Sequence, residues 1–268
     1  MYIDLHMHTT ASDGAWTRSE LLDLLAKYNI TTFAVTDHDT TQNSQPMVSE
    51  AEARDMHCIP GVEISTLYDR EYHITCYGID FEHSGLQSLL SYNREERAAL
   101  NRETVRLLAE QDARINFEQY ESYTYDPIRG GWKSLNFLID QGIIEGTPGY
   151  FAITQHLNMG VECPPPEIVI QTVKDAGGFP FLAHPNVYQG GERMSRDQLM
   201  QWRDFGIAGI ESYSPSVNDL SDTRYYIDFC RQNDLLISGG SDYHGPFLTR
   251  PLGDPLITRD MLDLGGLI

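Results

Sequence analysis

Short apolar runs, each followed by polar residues, recur along the chain and predict the strands of an α/β protein. The first run starts at Tyr2 and alternates with a period of two, so it places His6 and His8 on the same side of a strand. A helix should follow, because Thr17 can cap it and Glu20 can complete a capping box. This alternation of strand and helix indicates parallel βα units.

The same alternation returns in the last hundred residues. Helical patterns are predicted there at about residues 167–176, 196–205 and 219–233, and a strand is predicted at Gly209–Tyr213. One more helix is predicted in the first part of the chain, at about residues 45–56. Gly177 and Gly178 end one of these helices. The alternation of strand and helix therefore resumes after the middle of the chain.

The middle of the chain breaks this rhythm. Residues 93–167 contain short helical segments separated by turn signals such as Gly130-Gly131 and Pro164-Pro165-Pro166. We expect an inserted helical cap over these residues, with 1–92 and 168–268 forming the main domain. Caps of this kind close over active sites and set substrate choice. The charged helical stretch at about 86–111 is interpreted as a solvated surface.

Candidate metal ligands follow many of the apolar runs. They are His6, His8, Asp13, His38, Glu63, His73, His184, Asp242 and His244. The carboxyl ends of strands in a barrel or parallel sheet share one face, so this distribution predicts an active site there. Two histidines two residues apart on a strand can bind one divalent ion. For His6 and His8 taken alone, a hydrogen-bonded pair at a strand edge is an equal alternative.

The net charge limits the class of substrate. The chain has 268 residues with 19 basic and 39 acidic side chains, which gives a formal charge of −20. Such a surface repels long polyanions, so we expect no long nucleic acid as a partner. A small phosphate ester remains compatible, because bound divalent ions reverse the local field. The composition gives no sign of an obligate protein partner.

The sequence also predicts a cytoplasmic protein. It contains no run of eighteen apolar residues that could span a membrane, and its amino terminus lacks the pattern of a signal peptide. Its four cysteines show no CxxC spacing, which fits a reducing compartment. We interpret them as small buried apolar side chains.

Six motifs, taken in order, resemble those of the PHP (polymerase and histidinol phosphatase) family. They are His6-Met7-His8, Ser12-Asp13-Gly14, Thr36-Asp37-His38-Asp39-Thr40, Gly61-Val62-Glu63, Ala183-His184-Pro185 and Gly240-Ser241-Asp242-Tyr243-His244. The resemblance implies a distorted (β/α)7 barrel, a cluster of two or three manganese, zinc or iron ions, and phosphoester hydrolysis. The chain is most similar to the small stand-alone phosphoesterases of the family that carry an inserted helical domain.

The resemblance also implies how a trinuclear centre would divide its ligands. A first metal would take His6, His8, Glu63 and Asp242; a second Asp13, His38 and His244; a third Glu63, His73 and His184. Asp13 stands where the family often has a histidine. Mixed imidazole and carboxylate ligands suit Mn²⁺, Fe²⁺ or Zn²⁺. Metals a few ångströms apart can hold a bridging hydroxide and bind phosphate oxygens.

Other residues are candidates for proton transfer and substrate binding. Asp37, Asp39, His184 and His244 could supply a proton to the leaving alkoxide. Candidates for binding the substrate are Arg129, Lys133, Asn186, Tyr188, Arg193 and Ser214. Asp39 and Glu211 are also interpreted as partners that orient the ligands. Trp132 and Tyr188 could stack on a base, although packing is the simpler interpretation of both.

The predicted activity is hydrolysis of a phosphoester in a nucleotide, a cyclic phosphate or a sugar phosphate. The nucleotide phosphatases of the family commonly have an Arg-x-His segment in the cap and a histidine after the Tyr-Ser-Pro loop. Here the segment reads Arg129-Gly130-Gly131-Trp132-Lys133-Ser134, and Ser216 follows Pro215. A histidinol-phosphate phosphatase, a metal-dependent amide or ring hydrolase, and a binding module with a vestigial site are the alternatives.

Overall fold

A computed structural model describes residues 1–157, 159–217 and 219–267 as an α/β protein. Its strands are β1 (Tyr2–Asp4), β2 (Ile30–Ala34), β3 (His57–Ile59), β4 (Gly61–Leu67), β5 (Glu71–Tyr77), β6 (Phe179–Leu182), β7 (Gly209–Tyr213) and β8 (Leu236–Gly239). Its helices are α1 (Arg18–Lys27), α2 (Ser44–Glu52), α3 (Ser84–Gln111), α4 (Phe117–Ser122), α5 (Lys133–Asp140), α6 (Thr147–Gln155), α7 (Pro166–Asp175), α8 (Arg196–Phe205) and α9 (Leu220–Gln232). The α/β class predicted from the sequence is confirmed.

The strands of the described residues pair into two sheets. One contains β1, β2 and β3 in parallel, and the other runs in the order β4-β5-β6-β7-β8. Isolated bridges at Met7–Tyr243 and His38–Glu63 connect the sheets. This pairing does not show the closed (β/α)7 barrel that the resemblance implied.

A hairpin replaces one of the expected parallel units. β4 and β5 run antiparallel, and β5 also pairs antiparallel with β6. The loop between β4 and β5 is limited to residues 68–70. Such a short connection can only reverse the chain, because a parallel crossover needs a dozen or more residues. From β6 to β8 the pairing is parallel.

Helix α1 shows how the local sequence builds the domain. The Thr17 side chain accepts a hydrogen bond from the Glu20 backbone, and Glu20 bonds back to Thr17, so the predicted capping box is present. Leu21, Leu22 and Leu25 are fully or almost fully buried. They pack in an apolar cluster with residues of β2, which fixes the strand that leads to His38.

Helices α3 to α6 have an apolar cluster of their own. It includes Val105 and Leu108 of α3, Phe137 and Leu138 of α5, and Tyr150 of α6. The first turns of α3 instead contribute to the largest cluster, around β4 to β8, through the residues Leu86, Leu89 and Leu90. The boundary predicted between residues 92 and 93 therefore falls inside one continuous helix.

The helices and the cysteines relate to the cellular setting that the sequence predicts. Every helix within residues 1–157, 159–217 and 219–267 is too short or too polar to cross a bilayer. Cys58, Cys76, Cys163 and Cys230 are all free and buried. Burial raises the pKa of the Cys58 and Cys230 thiols to about 12, so they behave as small apolar side chains at neutral pH.

Candidate metal centre

The nine predicted ligands lie together where the two sheets meet. The ligand atoms form three groups, and within each group all of them lie within 4.8 Å of one another. The groups are His8, Asp13, His38, His244; His6, His8, Glu63, Asp242; and His38, Glu63, His73. His184 joins them through Nε2, which lies 2.9 Å from Glu63 Oε1. The structure thus assembles side chains that are as much as 238 positions apart in the sequence, from His6 to His244.

Backbone bonds beyond the strand ends hold this arrangement. His8 donates its backbone N–H to Tyr243 O over 2.8 Å, which aligns the first motif with the last. Asp39 donates to Glu63 O over 2.7 Å, which aligns the end of β2 with β4. Asp4 accepts bonds from the backbone and hydroxyl of Ser241, next to the ligand Asp242. The motifs therefore converge through main-chain pairing as well as through their side chains.

Glu63 occupies the centre of the cluster. One of its oxygens, Oε2, lies 3.2 Å from His6 Nε2, 3.3 Å from His8 Nε2 and 3.1 Å from His38 Nδ1. The other, Oε1, lies 3.2 Å from His73 Nδ1. Its side chain is fully buried. A carboxylate in this position can be shared between two cations.

Several buried ligand atoms have no hydrogen-bond partner. They are His6 Nε2, His8 Nδ1, His8 Nε2, Glu63 Oε2, His73 Nδ1 and His184 Nδ1. Unpaired buried polar atoms cost free energy, and a cation among them would satisfy their lone pairs. The mixed imidazole and carboxylate donors fit Mn²⁺, Fe²⁺ or Zn²⁺. The residues present therefore suit divalent metal ions.

Electrostatics keep one central histidine neutral. Burial, together with the neighbouring His244 and His38, lowers the pKa of His8 well below its ordinary value. A neutral imidazole has a free lone pair, which metal binding requires. For His6, burial lowers the pKa but Glu63 and Glu211 outweigh it and raise the pKa to about 10. The acidic groups thus attract positive charge to this position.

Glu211 connects two of the ligands. Its Oε1 lies 2.9 Å from His6 Nδ1, and its Oε2 accepts a 2.5 Å bond from the backbone N–H of His184. Such partners fix the ring orientation of a metal-binding histidine. Asp39 instead accepts bonds from Ser65 N and the Asn93 amide.

The Asp37 carboxylate is engaged by hydrogen bonds within the loop that carries the ligand Asp13. This carboxylate accepts bonds from the Thr9 backbone, the Thr9 hydroxyl and the Ser12 hydroxyl, at 2.7, 2.6 and 2.6 Å. These bonds hold the loop that carries Asp13. Of the four residues proposed for proton transfer, His184 and His244 are the two that also touch the carboxylates of the cluster.

The structure does not bring the predicted cationic clamp to the site. Arg129 forms a two-pronged ion pair with Asp140, with distances of 2.9 and 2.7 Å. Lys133 donates to Glu121 O and lies 4.7 Å from the centre of the Tyr120 ring. These partners lie in α4 and α5, within the helical region (residues 93–167), so each of the two side chains is held by a partner of its own.

The other predicted substrate residues also have partners of their own. Asn186 is fully buried and bonds Tyr226 and Asp222. The Tyr188 hydroxyl accepts a 2.8 Å bond from the His73 backbone, so Tyr188 supports a ligand. Arg193 lies near Asp222, and Ser214 bonds Ser216.

A cavity of about 620 Å³ opens onto the cluster. Its lining includes the candidate ligands Asp13, His38 and His73 together with Arg94, Arg97, Trp132, Tyr150 and Phe151. None of Arg129, Lys133, Asn186, Tyr188, Arg193 and Ser214 is among the described residues that line it.

Helix α3 supplies the arginines that sequence reasoning missed. The stretch was interpreted as a solvated surface, yet Asn93 is fully buried and both Arg94 and Arg97 line the cavity. The signal was the spacing of Leu86, Leu90, Asn93 and Arg97, which continues one stripe of a helix from apolar to polar residues.

Glu71 was missed as well. It pairs with Arg97, and its Oε1 lies 3.3 Å from His73 Nε2. Burial raises the pKa of Glu71, but the bond to His73 and the charge of Arg97 outweigh burial and hold this pKa well below its usual range. Glu71 therefore stays ionised and orients the His73 ring toward Glu63.

Comparisons with known proteins support the same chemistry. The 5′-3′ exoribonuclease Rnm of Salmonella typhimurium is 29% identical, covering 91% of this chain and 85% of that protein. The 3′,5′-nucleoside bisphosphate phosphatase of Chromobacterium violaceum is 27% identical, covering 91% of this chain and 87% of that protein. The names of both relatives agree with the phosphoester hydrolysis expected of the ligand cluster.

A family model gives a more specific match. Residues 4–124 match the family model of the PHP domain. A Bifidobacterium adolescentis structure, provisionally named a metal-dependent phosphoesterase, superposes with a TM-score of 0.82. The superposition covers 97% of this chain and 93% of the Bifidobacterium adolescentis chain, and the two sequences are 24% identical. The two proteins therefore share a fold.

Proposed function

We propose that the protein hydrolyses a phosphoester bond in a small organic phosphate that enters the 620 Å³ cavity. The observation that carries the proposal is the set of buried imidazole nitrogens and carboxylate oxygens that converge without hydrogen-bond partners beside this cavity. When bound there, divalent ions would lower the pKa of a coordinated water and neutralise the phosphate oxygens.

The ligands would divide as the resemblance implies. One ion would be held by His6, His8, Glu63 and Asp242, and a second by Asp13, His38 and His244. A third would be held by Glu63, His73 and His184. The close approach of each set supports this division. His184 and His244 remain the candidates for giving a proton to the leaving oxygen.

One of the two cavity-lining arginines of α3, Arg94, is proposed to bind the anionic substrate. Arg94 donates to the backbone carbonyl of Asp39 and has no carboxylate partner among the described ion pairs. Its charge is therefore available to a phosphate oxygen. Arg97 is neutralised by Glu71, so we assign it chiefly to holding Glu71 against His73.

Residues 93–167 are proposed to act as a cap on a distorted (β/α)7 barrel formed by 1–92 and 168–268. The separate apolar cluster of α3 to α6 supports this division. So does the bond from Gly131 N to Asp13 O, which attaches the helical region to a ligand loop. Trp132, Tyr150 and Phe151 bring this region to the cavity wall.

The aromatic wall favours a substrate with a flat ring. Trp132 lies 5.1 Å from Tyr150 and 6.1 Å from Phe151 between ring centres, and all three line the cavity that contains His38 and His73. Aromatic faces stack on nucleobases with useful affinity. A nucleotide is therefore the preferred substrate over a sugar phosphate. The net charge of −20 favours a mononucleotide or a chain terminus over internal RNA.

The test is hydrolysis of a panel of phosphorylated metabolites by Mn²⁺-reconstituted protein, with the metal content of the same sample measured. Released inorganic phosphate reports cleavage of monoesters, and chromatography of the products reports cleavage of diesters, which releases no inorganic phosphate. The panel contains nucleoside mono- and bisphosphates, short oligoribonucleotides, cyclic phosphates, sugar phosphates and histidinol phosphate. We expect turnover of the nucleotides with two to three metals bound. Preference for histidinol phosphate would replace the substrate assignment. Full metal occupancy without hydrolysis of any compound would contradict the proposal and favour amide or ring hydrolysis.

A further inference from the structure

Asp242 meets different partners with its two carboxylate oxygens. Its Oδ1 lies 3.3 Å from His6 Nε2 and 3.2 Å from His8 Nε2. Its Oδ2 forms an ion pair with Nη1 of Arg250. One oxygen therefore faces the histidine pair, and a guanidinium group holds the other.

This ion pair sits largely inside the protein. The side chains of Asp242 and Arg250 are 6% and 33% exposed. The backbone of Asp242 lies in the left-handed region with φ of 49° just after β8, so its position is set by the fold. Rotation about the side-chain bonds is the main freedom left to the carboxylate, and an ion pair on Oδ2 restricts it.

The surroundings of Arg250 distinguish it from the arginines of α3. Glu211, Glu63 and Asp13 all attract its guanidinium group. Within the described chain, Arg250 is the arginine that forms an ion pair with one of the nine predicted ligands. It is not among the described residues that line the cavity, whereas Arg94 and Arg97 are. Its contacts therefore point to a ligand and away from substrate.

We propose that Arg250 is a positioning residue that fixes the Asp242 carboxylate so that Oδ1 is presented to the metal held by His6, His8 and Glu63. The inference rests on the proposed function in taking Asp242 as a metal ligand. Partners that orient ligands in this way strengthen metal binding. A nearby positive charge acting alone would weaken it by repulsion. If orientation of Asp242 dominates, removal of the guanidinium group weakens metal binding. If repulsion dominates, the same removal strengthens metal binding.

The experiment measures Mn²⁺ and Zn²⁺ affinity of the full chain by competition with a chromophoric chelator. Arg250→Met should weaken one site by about 10- to 100-fold, with a changed electron paramagnetic resonance spectrum of bound Mn²⁺. Arg250→Lys should recover part of the loss, because it keeps the charge but lacks the planar fork. The matched control is Arg114→Met, whose arginine pairs with Asp112 at the surface; its affinity should equal that of the wild type.

If Arg250→Met folds, any one of three results would overturn the inference. Unchanged or tighter metal binding by Arg250→Met would show that the arginine does not position the ligand. An increased KM with unchanged metal affinity would assign Arg250 to substrate. Equal losses of metal affinity in Arg250→Met and Arg250→Lys would show that the site depends only on the packing of the native side chain.

If Arg250→Met does not fold by circular dichroism, Arg250→Lys carries the test. A metal affinity of Arg250→Lys equal to that of the wild type would then overturn the inference. A wild-type protein that binds no metal would instead contradict the proposed function.

Discussion

Glu63 illustrates how single residues define this site. Its two oxygens approach the rings of His6, His8, His38, His73 and His184. A fully buried carboxylate among several imidazoles costs much free energy unless cations compensate it. The cluster is therefore built for bound charge, and its individual members can be tested.

His38 belongs to two of the three groups of candidate ligands. Its side chain is 26% exposed, so truncation leaves little buried empty space. We expect His38→Ala to lose at least one equivalent of metal while the fold persists. Turnover should fall by at least about 100-fold, since loss of a mere partner of a ligand already costs about 10- to 100-fold.

Metal content and steady-state rates check this prediction, with His57→Ala as the control. His57 is exposed at the start of β3, and its removal should leave both quantities unchanged. Full metal content in His38→Ala would remove His38 from the ligand set.

Arg94 and Arg129 make a matched pair for the substrate clamp. Arg94 lines the cavity, whereas Arg129 is neutralised by Asp140. Arg94→Ala should raise KM about tenfold and leave kcat within about twofold, as expected for loss of one charge-assisted bond. Arg129→Ala should change neither constant. An increase in KM for Arg129→Ala alone would restore the clamp predicted from the sequence.

At the scale of elements, the contact between the helical region and the ligand loops is a tight one. Gly130 has φ of 70°, and Phe247 and the carbonyl of Asp13 lie against it. Phe247 follows His244 in a short 3-10 turn and packs on the apolar cluster of the helices. This junction couples the helical region to both ends of the chain.

Gly130→Ala should disrupt this junction. An added Cβ would lie 2.6 Å from Phe247 Cβ and 3.1 Å from Asp13 O. Overpacking and the positive φ together should cost about 2–4 kcal/mol of unfolding free energy. Gly142→Ala is the control, because its φ is 65° but nothing lies within 4 Å of the new Cβ.

Urea unfolding measures both variants. Gly142→Ala should lose only about 1–2 kcal/mol, the cost of the positive φ. Equal losses in the two variants would show that the contact with Phe247 yields easily.

At the scale of the whole molecule, metal ions should stabilise the fold, because the ligands come from both sheets and from both ends of the chain. Chelator treatment should lower the midpoint of thermal unfolding. A metal at 100 times its dissociation constant contributes about 2.7 kcal/mol to the native state. The shift should be smaller in His38→Ala. Equal midpoints with and without chelator would contradict a metal-filled cluster in the native protein.

The sequence allowed much of the fold to be predicted, because local chemistry decides local structure. The capping box at Thr17 and the helix at Arg196–Phe205 agree with the structure, as does the strand at Gly209–Tyr213. The sequence also allowed the convergence of the nine predicted ligands to be anticipated, since strand ends carry them and related motifs occur in one family.

What the sequence left open depends on partners that are distant along the chain. Arg94 and Arg129 are both arginines in helical stretches, and only the packing of the first turns of α3 with β4 and β5 brings one of them to the cavity. Glu71 and Arg250 lie outside the recognised motifs, and each gains its role from one ion pair.

The sequence by itself determined which side chains could bind metal, because imidazole and carboxylate donors are fixed by residue type. Tertiary structure decided which charges face the cavity, because a charged side chain turns toward whichever opposite charge the folded chain places beside it.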